Sequence, residues 1–463
     1  MTSTVPRATQ DVVLGRKPGA GAIDVALVAL FLIGIYLGVS IPITPTVPLT
    51  CAPSGLAGLL LLWRRRNDIE PVHLAGFLAV LGLYAVSIVC ASDYVFLVKR
   101  FTGLLQLTYS LVIGYALFLT LVRIERRLLA GLLLTFCLCI IGGCLLEHYG
   151  GLRSISNAVR EKIYDSAFIY DADLRDEILY GRIRPKLFTS EPSAVTFAFT
   201  QFCAMWLAVS PSPYKLPLYI VLIALGMMVL PGPTLVLMLL LIVPYLLFLA
   251  GKNNGKPSER LLRFVGALIL SLAVVCVAYF IGRFVFSERL NEIATGKDAS
   301  FFYRFTGPML VTFDVFRNYP WAGAGLTGEP FIAREVLSVY SNATAFQSAW
   351  QITRIADVLT NYFWLHWIYL GLVWGAVVAI GVSIWLRVIG TTSLLYCWSI
   401  WIILGQASGA YVGPKTWAVL FMAAAASIIC LRRELPERQT TQAQYPARLR
   451  PFAALRPAHS FYQ

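Results

Sequence analysis

Hydrophobic residues in this chain fall into repeated blocks of about 20, the length that crosses a hydrocarbon core. The blocks lie near 22–41, 49–63, 71–91, 101–122, 127–148, 191–210, 214–230, 233–250, 261–282, 361–385, 391–411 and 414–431. Lipid offers the backbone no hydrogen-bond partner, so such blocks must be helices. The pattern predicts an all-α, polytopic integral membrane protein with about 12 transmembrane helices. Polar links between the blocks set the orientation. Arg64-Arg65-Arg66, Arg123, Arg126, Arg127, Lys215, the run from Lys252 to Arg263, Arg387 and Arg432-Arg433 share one side with Arg7, Arg16 and Lys17; the short links on the other side carry only Lys99, Arg100 and Lys415. Cytoplasmic connections carry the Lys/Arg excess, which predicts that both termini are cytoplasmic.

The predicted organisation is a cytoplasmic tail (1–21), helices 1–5 (22–149), an outer loop (150–189), helices 6–9 (190–282), a large outer loop (283–360), helices 10–12 (361–431) and a cytoplasmic tail (432–463). The start is polar and basic, so the first hydrophobic run reads as a signal anchor. Nearly all the non-cytoplasmic charge sits in the two long loops, where function tends to concentrate. Within the spans only Asp24 and Glu147 stand out, both near predicted ends. That argues against a proton- or ion-driven pump, whose relay needs ionisable groups inside the membrane.

Composition agrees with the pattern. The 463 residues are 58% hydrophobic and 13% charged, with a mean hydropathy of +0.71. The net charge of +14 reads as the cytoplasmic Lys/Arg bias, and no nucleic-acid-binding motif accompanies it. Eight of the nine cysteines lie in apolar stretches and read as small hydrophobes, with Cys51 near an outer loop. Neither the cysteines nor the four histidines show metal-ligand spacing. No metal or cofactor is expected.

Three stretches carry candidate chemistry. The first is Gly181-Arg182-Ile183-Arg184-Pro185-Lys186 running to Ser190-Glu191-Pro192-Ser193. Pro185 pushes Arg184 to extended backbone, and alternation then puts Arg182, Arg184 and Lys186 on one face. Ser190 reads as the cap of a helix whose N-terminus points outward with them. This is either a cradle for a phosphate or diphosphate, or a basic cluster touching lipid headgroups; physics alone weighs the two equally. The second stretch, Ser300 to Phe316 and then Arg317-Asn318-Tyr319-Pro320 to Gly325, reads as an interfacial helix ended by an Asn-Tyr-Pro turn. Arg304 is its lone cation among aromatics, a ligand group or a snorkelling side chain. The third, Asp357 to His366, enters a span with Thr360 or Asn361 as cap. Asp357 is a carboxylate near the cradle or a loop acid paired with Arg354. His148, beside Glu147 at an outer span end, is the most interesting histidine.

At these stretches the chain resembles the O-antigen ligase and polymerase superfamily of bacterial envelope glycosyltransferases. The resemblance rests on Ser190-Glu191-Pro192-Ser193 opening a span after a basic segment, on Arg304 ahead of Asn318-Tyr319-Pro320 and Gly323-Ala324-Gly325, and on Asn361 leading into a span with Gly371 and Gly375. Two positions depart from the family pattern. Thr360 stands where a His often precedes the Asn, and Pro231-Gly232-Pro233-Thr234 replaces a Ser-Arg pair. The missing histidine is associated with ligases, which makes a polymerase of repeat units the first expectation and a ligase the second; a lipid-linked oligosaccharide flippase is the rival from another class. The resemblance implies a bacterial inner-membrane protein with both long loops periplasmic. It implies an undecaprenyl-diphosphate-linked oligosaccharide as donor, membrane lipids as surroundings and a chain-length-regulating co-polymerase as a partner. It suggests Arg182, Arg184, Lys186 and Arg304 for the diphosphate and Glu191 or Asp357 as catalytic base. Arg289, Asn361 and His148 take secondary or acceptor roles.

Overall fold

A computed structural model describes residues 19–44, 47–166, 169–232, 234–250, 257–285, 287–344 and 355–431. The helices in chain order are α1 (Ala22–Leu37), α2 (Ala52–Arg64), α3 (Pro71–Val89), α4 (Leu97–Leu121), α5 (Arg126–Tyr149), α6 (Leu152–Ile163), α7 (Asp173–Tyr180), α8 (Pro192–Val209), α9 (Lys215–Val229), α10 (Thr234–Leu240), α11 (Ile242–Tyr245), α12 (Pro257–Val285), α13 (Ser287–Ala294), α14 (Ala299–Phe301), α15 (Gly307–Asn318), α16 (Ala333–Ser341), α17 (Ile355–Val358), α18 (Tyr362–Val388), α19 (Leu394–Gly405) and α20 (Pro414–Leu431). The fold is all-α apart from a small antiparallel hairpin, β1 (Ile41–Thr44) with β2 (Val47–Leu49). Six helices (α3, α4, α5, α8, α18 and α20) are long and apolar enough to cross a membrane, and several shorter apolar helices accompany them.

Helices α8 and α20 form the centre of the bundle: 89% and 83% of their most apolar windows are buried in protein, against 28% for peripheral α3. Polar contacts hold the two ends of the bundle. At one end Arg64 and Arg65 pair with Asp24 at 2.7 and 2.5 Å, Arg123 pairs with Asp68 at 2.6 Å, and Arg126 donates to the carbonyls of Val209 and Ser210. Of the basic links that set the predicted orientation, those at Arg64-Arg65, Arg123 and Arg126 thus hold the helix ends they join, while residues 1–18, 251–256 and 432–463 lie outside the described residues.

Two apolar blocks and one helix cap differ from expectation in ways that bear on the site. The block at 233–250 breaks into α10, α11 and a π turn at Leu246–Ala250, next to Pro244, which lacks a backbone donor. The block at 391–411 shortens to α19, and residues 406–413 fold back into the bundle. Gly405, Gly409, Gly413 and Pro414 interrupt the helix there, and Ser110 Oγ (2.6 Å to the Val412 carbonyl) and the Tyr362 amide (2.9 Å to the Ser408 carbonyl) satisfy the freed backbone. Protein groups thus supply the hydrogen bonds that helix would otherwise provide to this irregular backbone. The cap of α8 is Glu191 rather than Ser190; Glu191 has extended backbone and Pro192 follows as the first helical residue.

Candidate functional site

Asn361 organises the N-terminal end of α18. Its Oδ1 accepts from the amides of Phe363 and Trp364 at 3.0 and 3.2 Å, the cap expected from sequence. Its Nδ2 donates to the Arg304 carbonyl at 2.7 Å and to Gln406 Oε1 at 2.9 Å. The Thr360 hydroxyl donates to the Tyr303 carbonyl at 3.2 Å. These bonds clamp a π turn, Phe302–Thr306, inserted between α14 and α15. Such turns displace one residue from the helical register and recur at functional sites. The residue carried on this one is Arg304, half-buried and without a side-chain hydrogen bond or ion pair among the described residues.

Helix α18 is broken ten residues into its length at Gly371, where φ is 67° and ψ −174°. The break would leave backbone groups orphaned in lipid. The segment Tyr319–Gly325 fills it. Ala324 N donates to the Ile368 carbonyl at 2.9 Å, and the amides of Val373 and Trp374 donate to the carbonyls of Pro320 and Trp321, each at 3.1 Å. Gly323 permits this approach: a Cβ there would lie 2.4 Å from the Ile368 oxygen. Gly325 makes room for Arg100 in the same way. Arg100 is fully buried at the start of α4; its Nη2 donates to the Ala324 carbonyl at 2.7 Å and pairs with Asp93 at 2.5 Å. Glu329, also buried, accepts from Tyr369 and pairs with Lys99 at 2.9 Å. His366 bridges the break, its Nε2 lying 3.0 Å from the Gly375 carbonyl. A carbonyl only accepts, so Nε2 carries the proton, and the neutral ring offers Nδ1 to the Tyr411 hydroxyl at 2.9 Å. Tyr84 contacts Tyr411 in turn at 2.5 Å.

The first stretch forms a separate cluster. Residues Lys186 to Ser190 make a tight loop in which Leu187 and Phe188 both have positive φ (34° and 66°), a costly conformation that persists only when over-determined. Buried Glu147, in the last turn of α5, accepts from the amides of Lys186 and Leu187 at 3.1 and 2.5 Å. Ser156 accepts from Phe188 N, and buried Arg160 donates to the carbonyls of Thr189 and Ser190. Tyr36 bonds the Leu187 carbonyl at 2.7 Å, and Tyr164 bonds those of Leu37 and Phe188 at 2.6 and 3.1 Å. Burial raises the Tyr164 phenol to about 12, with Arg160 opposing, and burial lowers the Arg160 guanidinium against the pull of Glu147 and Asp173.

The three cations of this stretch have internal partners. Arg184 pairs with Asp176 at 2.8 Å and Lys186 with Asp173 at 2.7 Å, and both lie over the Tyr170 ring. Those two share a face; Arg182 turns away and donates to the Met228 carbonyl at the end of α9. Glu191 Oε1 accepts from the Ser193 hydroxyl at 2.5 Å. His148 stands edge-on to Tyr149. No hydrogen bond, ion pair or cation–π contact among the described residues joins Arg182, Arg184 or Lys186 to Arg304. Asp357 lies exposed on α17, while Arg354 and the Arg289 side chain lie outside the described residues. No three His, Cys, Asp or Glu side chains converge on a metal-sized site among the described residues.

The structure thus joins the second and third stretches into one unit around α18. Sequence reasoning missed Arg100, Glu329 and Tyr369 as its buried supports, and the role of Glu147 in holding the separate Lys186–Ser190 loop. The signal available for Arg100 was a charged residue opening an apolar run, with Asp93 seven residues ahead. No family model, no curated protein and no solved structure matches this chain.

Proposed function

We propose that the chain is a glycosyltransferase of the O-antigen ligase and polymerase type with twelve membrane crossings and both termini cytoplasmic. In this reading it joins lipid-linked repeat units on the periplasmic face. The acceptor sugar's hydroxyl oxygen attacks C1 of a donor glycan on undecaprenyl diphosphate. The bond from C1 to the phosphate oxygen breaks, the diphosphate leaves with the electron pair, and the hydroxyl proton passes to a carboxylate. Attack opposite the leaving group inverts the anomeric centre. The leaving group gains charge as it departs, so a preorganised cation is the main requirement.

The observation that carries the reading is Arg304: a half-buried guanidinium with no partner among the described residues, its carbonyl held by Asn361, which Gln406 holds in turn. Asp357 belongs to the same unit. It lies one residue before Val358, whose carbonyl accepts from Tyr340, and shortly before Thr360, which bonds the π turn. It is the better placed base; Glu191 opens the other cluster and already holds Ser193. Arg184 and Lys186 would have to exchange Asp176 and Asp173 for phosphate oxygens.

The test is polymer synthesis from purified lipid-linked repeat units by Arg304→Ala and Arg304→Lys proteins present at normal membrane levels. Loss of a stabilising donor of this kind costs about 10²–10³ in rate, with partial recovery in the lysine variant. Normal polymer length and yield from Arg304→Ala removes Arg304 from the reaction. In a deletion strain, accumulated single repeat units indicate a polymerase and accumulated long lipid-linked polymer a ligase.

One observation favours the transporter reading: broken helices with buried polar groups are typical of secondary transporters. Here three backbone hydrogen bonds with the segment Tyr319–Gly325 cross the break in α18, so backbone that a transporter would offer to its substrate is engaged by protein. Movement of the lipid-linked unit between leaflets of proteoliposomes, without chain growth, would reverse this choice.

A further inference from the structure

A cleft of about 320 Å³ opens between the π turn with α15 on one side and α16 on the other. Its walls are Phe302, Leu310, Phe313 and Val339, and its polar groups are Asp314 and Asn342. Phe313 is 55% exposed, so its ring is presented rather than packed. Asp314 is half-buried and has no hydrogen-bond or ion-pair partner among the described residues. Asn342 donates its Nδ2 to the Ser338 carbonyl at 2.8 Å, which leaves Oδ1 for a ligand. Asp314 therefore offers acceptors only, and Asn342 an acceptor and its second N–H.

That combination selects its ligand. A carboxylate repels phosphate and other anions, and its desolvation penalises a hydrocarbon tail. A molecule that fits has an apolar face for the aromatic rings and several hydroxyl donors along its edge. A pyranose ring has both. The volume lies at the lower end of the roughly 300–1,000 Å³ range of small-molecule pockets, which suits a short saccharide and not a long chain.

We infer that this cleft is a saccharide-binding subsite that holds a neutral sugar of the glycan, with its C–H face on Phe313 and its hydroxyls on Asp314 and Asn342. The inference rests on the glycosyltransferase reading for its biological meaning, because α16 packs on the unit that presents Arg304: Tyr340 bonds the Val358 carbonyl and lies edge-on to Phe302 at 5.2 Å. The binding itself is testable without any activity.

The full-length protein in nanodiscs is titrated with methyl glucoside and with N-acetylglucosamine, followed by saturation-transfer difference NMR. Transfer should concentrate on the ring protons of one face of at least one probe. Phe313→Ala and Asp314→Ala, both at positions open to the surface, should unfold with the wild-type protein and reduce the signal at least about fivefold, the scale of one lost charge-assisted hydrogen bond or more. Inorganic phosphate should not compete. No transfer with either probe, or equal transfer in both variants, overturns the inference. Sugar binding by a wild-type protein that makes no polymer from purified lipid-linked repeat units would overturn the enzymatic reading and leave the subsite standing. Wild-type sugar binding in both cleft variants together with an inactive Arg304→Ala would do the reverse.

Discussion

Replacing Gly323 by alanine tests the claim that an outer loop seals a broken membrane helix. Gly323 has φ +58°, and a Cβ there would sit 2.4 Å from the Ile368 oxygen and 2.5 Å from the Gly371 nitrogen. Both are backbone atoms, so no side chain can rotate away. The left-handed conformation alone costs an alanine about 1–2 kcal/mol. Restoring ordinary contact requires the loop to slide by about 1 Å, since carbon contacts settle near 3.5–4.0 Å. That movement stretches the bonds from Ala324 to Ile368 and from Val373 to Pro320, now 2.9 and 3.1 Å. A buried group left unpaired costs roughly 1–3 kcal/mol. With one bond lost, the sum is about 2–5 kcal/mol. Gly142 provides the control: its Cβ would meet nothing within 4 Å, and alanine in a helix interior gains about 0.5–1 kcal/mol. Tryptophan fluorescence during heating in nanodiscs should give a midpoint several degrees lower for Gly323→Ala and unchanged or higher for Gly142→Ala. Hydrogen exchange should quicken at Ala324, Val373 and Trp374 in the former. A Gly323→Ala protein with the wild-type midpoint and protected amides would show that the loop does not hold the break.

Three further outcomes follow from the buried polar groups. Glu147→Ala removes the acceptor of two backbone amides from a strained loop and should lower stability by about 2–5 kcal/mol, read as a lower midpoint or as poor membrane accumulation. Gln201, buried on α8, has an Oε1 with no partner beside a cavity of about 10 Å³ lined also by Tyr396 and Met422; Gln201→Met should be neutral or stabilising by up to about 1 kcal/mol, since it removes an unsatisfied acceptor, and a drop in the midpoint would contradict this. Tyr164 binds its proton more tightly when folded, because its pKa rises from 10.0 to about 12. Its contribution is therefore complete below pH 10 and disappears as pH climbs through about 12; Tyr164→Phe should flatten the alkaline stability loss in that window, and an unchanged alkaline limb would refute the assignment.

The apolar pattern along the chain located the helices well because the length of an apolar block is a direct physical demand of the bilayer. The long helices α3, α4, α5, α8, α18 and α20 lie within a few residues of the predicted blocks. The pattern does not register a break such as that at Gly371, since a glycine within an apolar run leaves hydropathy unchanged. Nor does it register the refolding of residues 406–413, where the apolar run continues through a non-helical segment covered by Ser110 and Tyr362. At the candidate site, Asn361 was legible because a cap has a local signature. Its contact with Arg304 was not, since it joins residues 57 apart in the chain. The single face expected for Arg182, Arg184 and Lys186 rested on strand-like alternation, and the structure keeps only Arg184 and Lys186 on it. The acids that pair with two of them come from α7, whose position depends on the tertiary fold.

On the proposed glycosyltransferase reading, the partners these cations already hold decide which of them can meet a departing diphosphate. Lys99, Arg100, Arg184 and Lys186 each hold a carboxylate, and Arg160 and Arg182 hold main-chain carbonyls. A phosphate oxygen at any of these must displace a partner, and removing one member of a buried pair leaves the other uncompensated, at a cost of about 3–5 kcal/mol. Arg304 has no partner to displace, so an anion arriving there gains the whole charge-assisted bond. Lys415, half-buried at the start of α20 with no partner among the described residues, stands in the same condition. Its Nζ would lie 2.7 Å from a Cβ on Gly38, at the outer end that also carries Tyr164 through its bond to Leu37. The polar clusters around Glu147 and Arg100 therefore act as frames: their charges are balanced internally, and they fix the backbone on which the uncompensated groups are carried. On the proposed reading, this electrostatic argument gives the chemistry to cations left unpaired among the described residues and not to the segment where cations are most numerous.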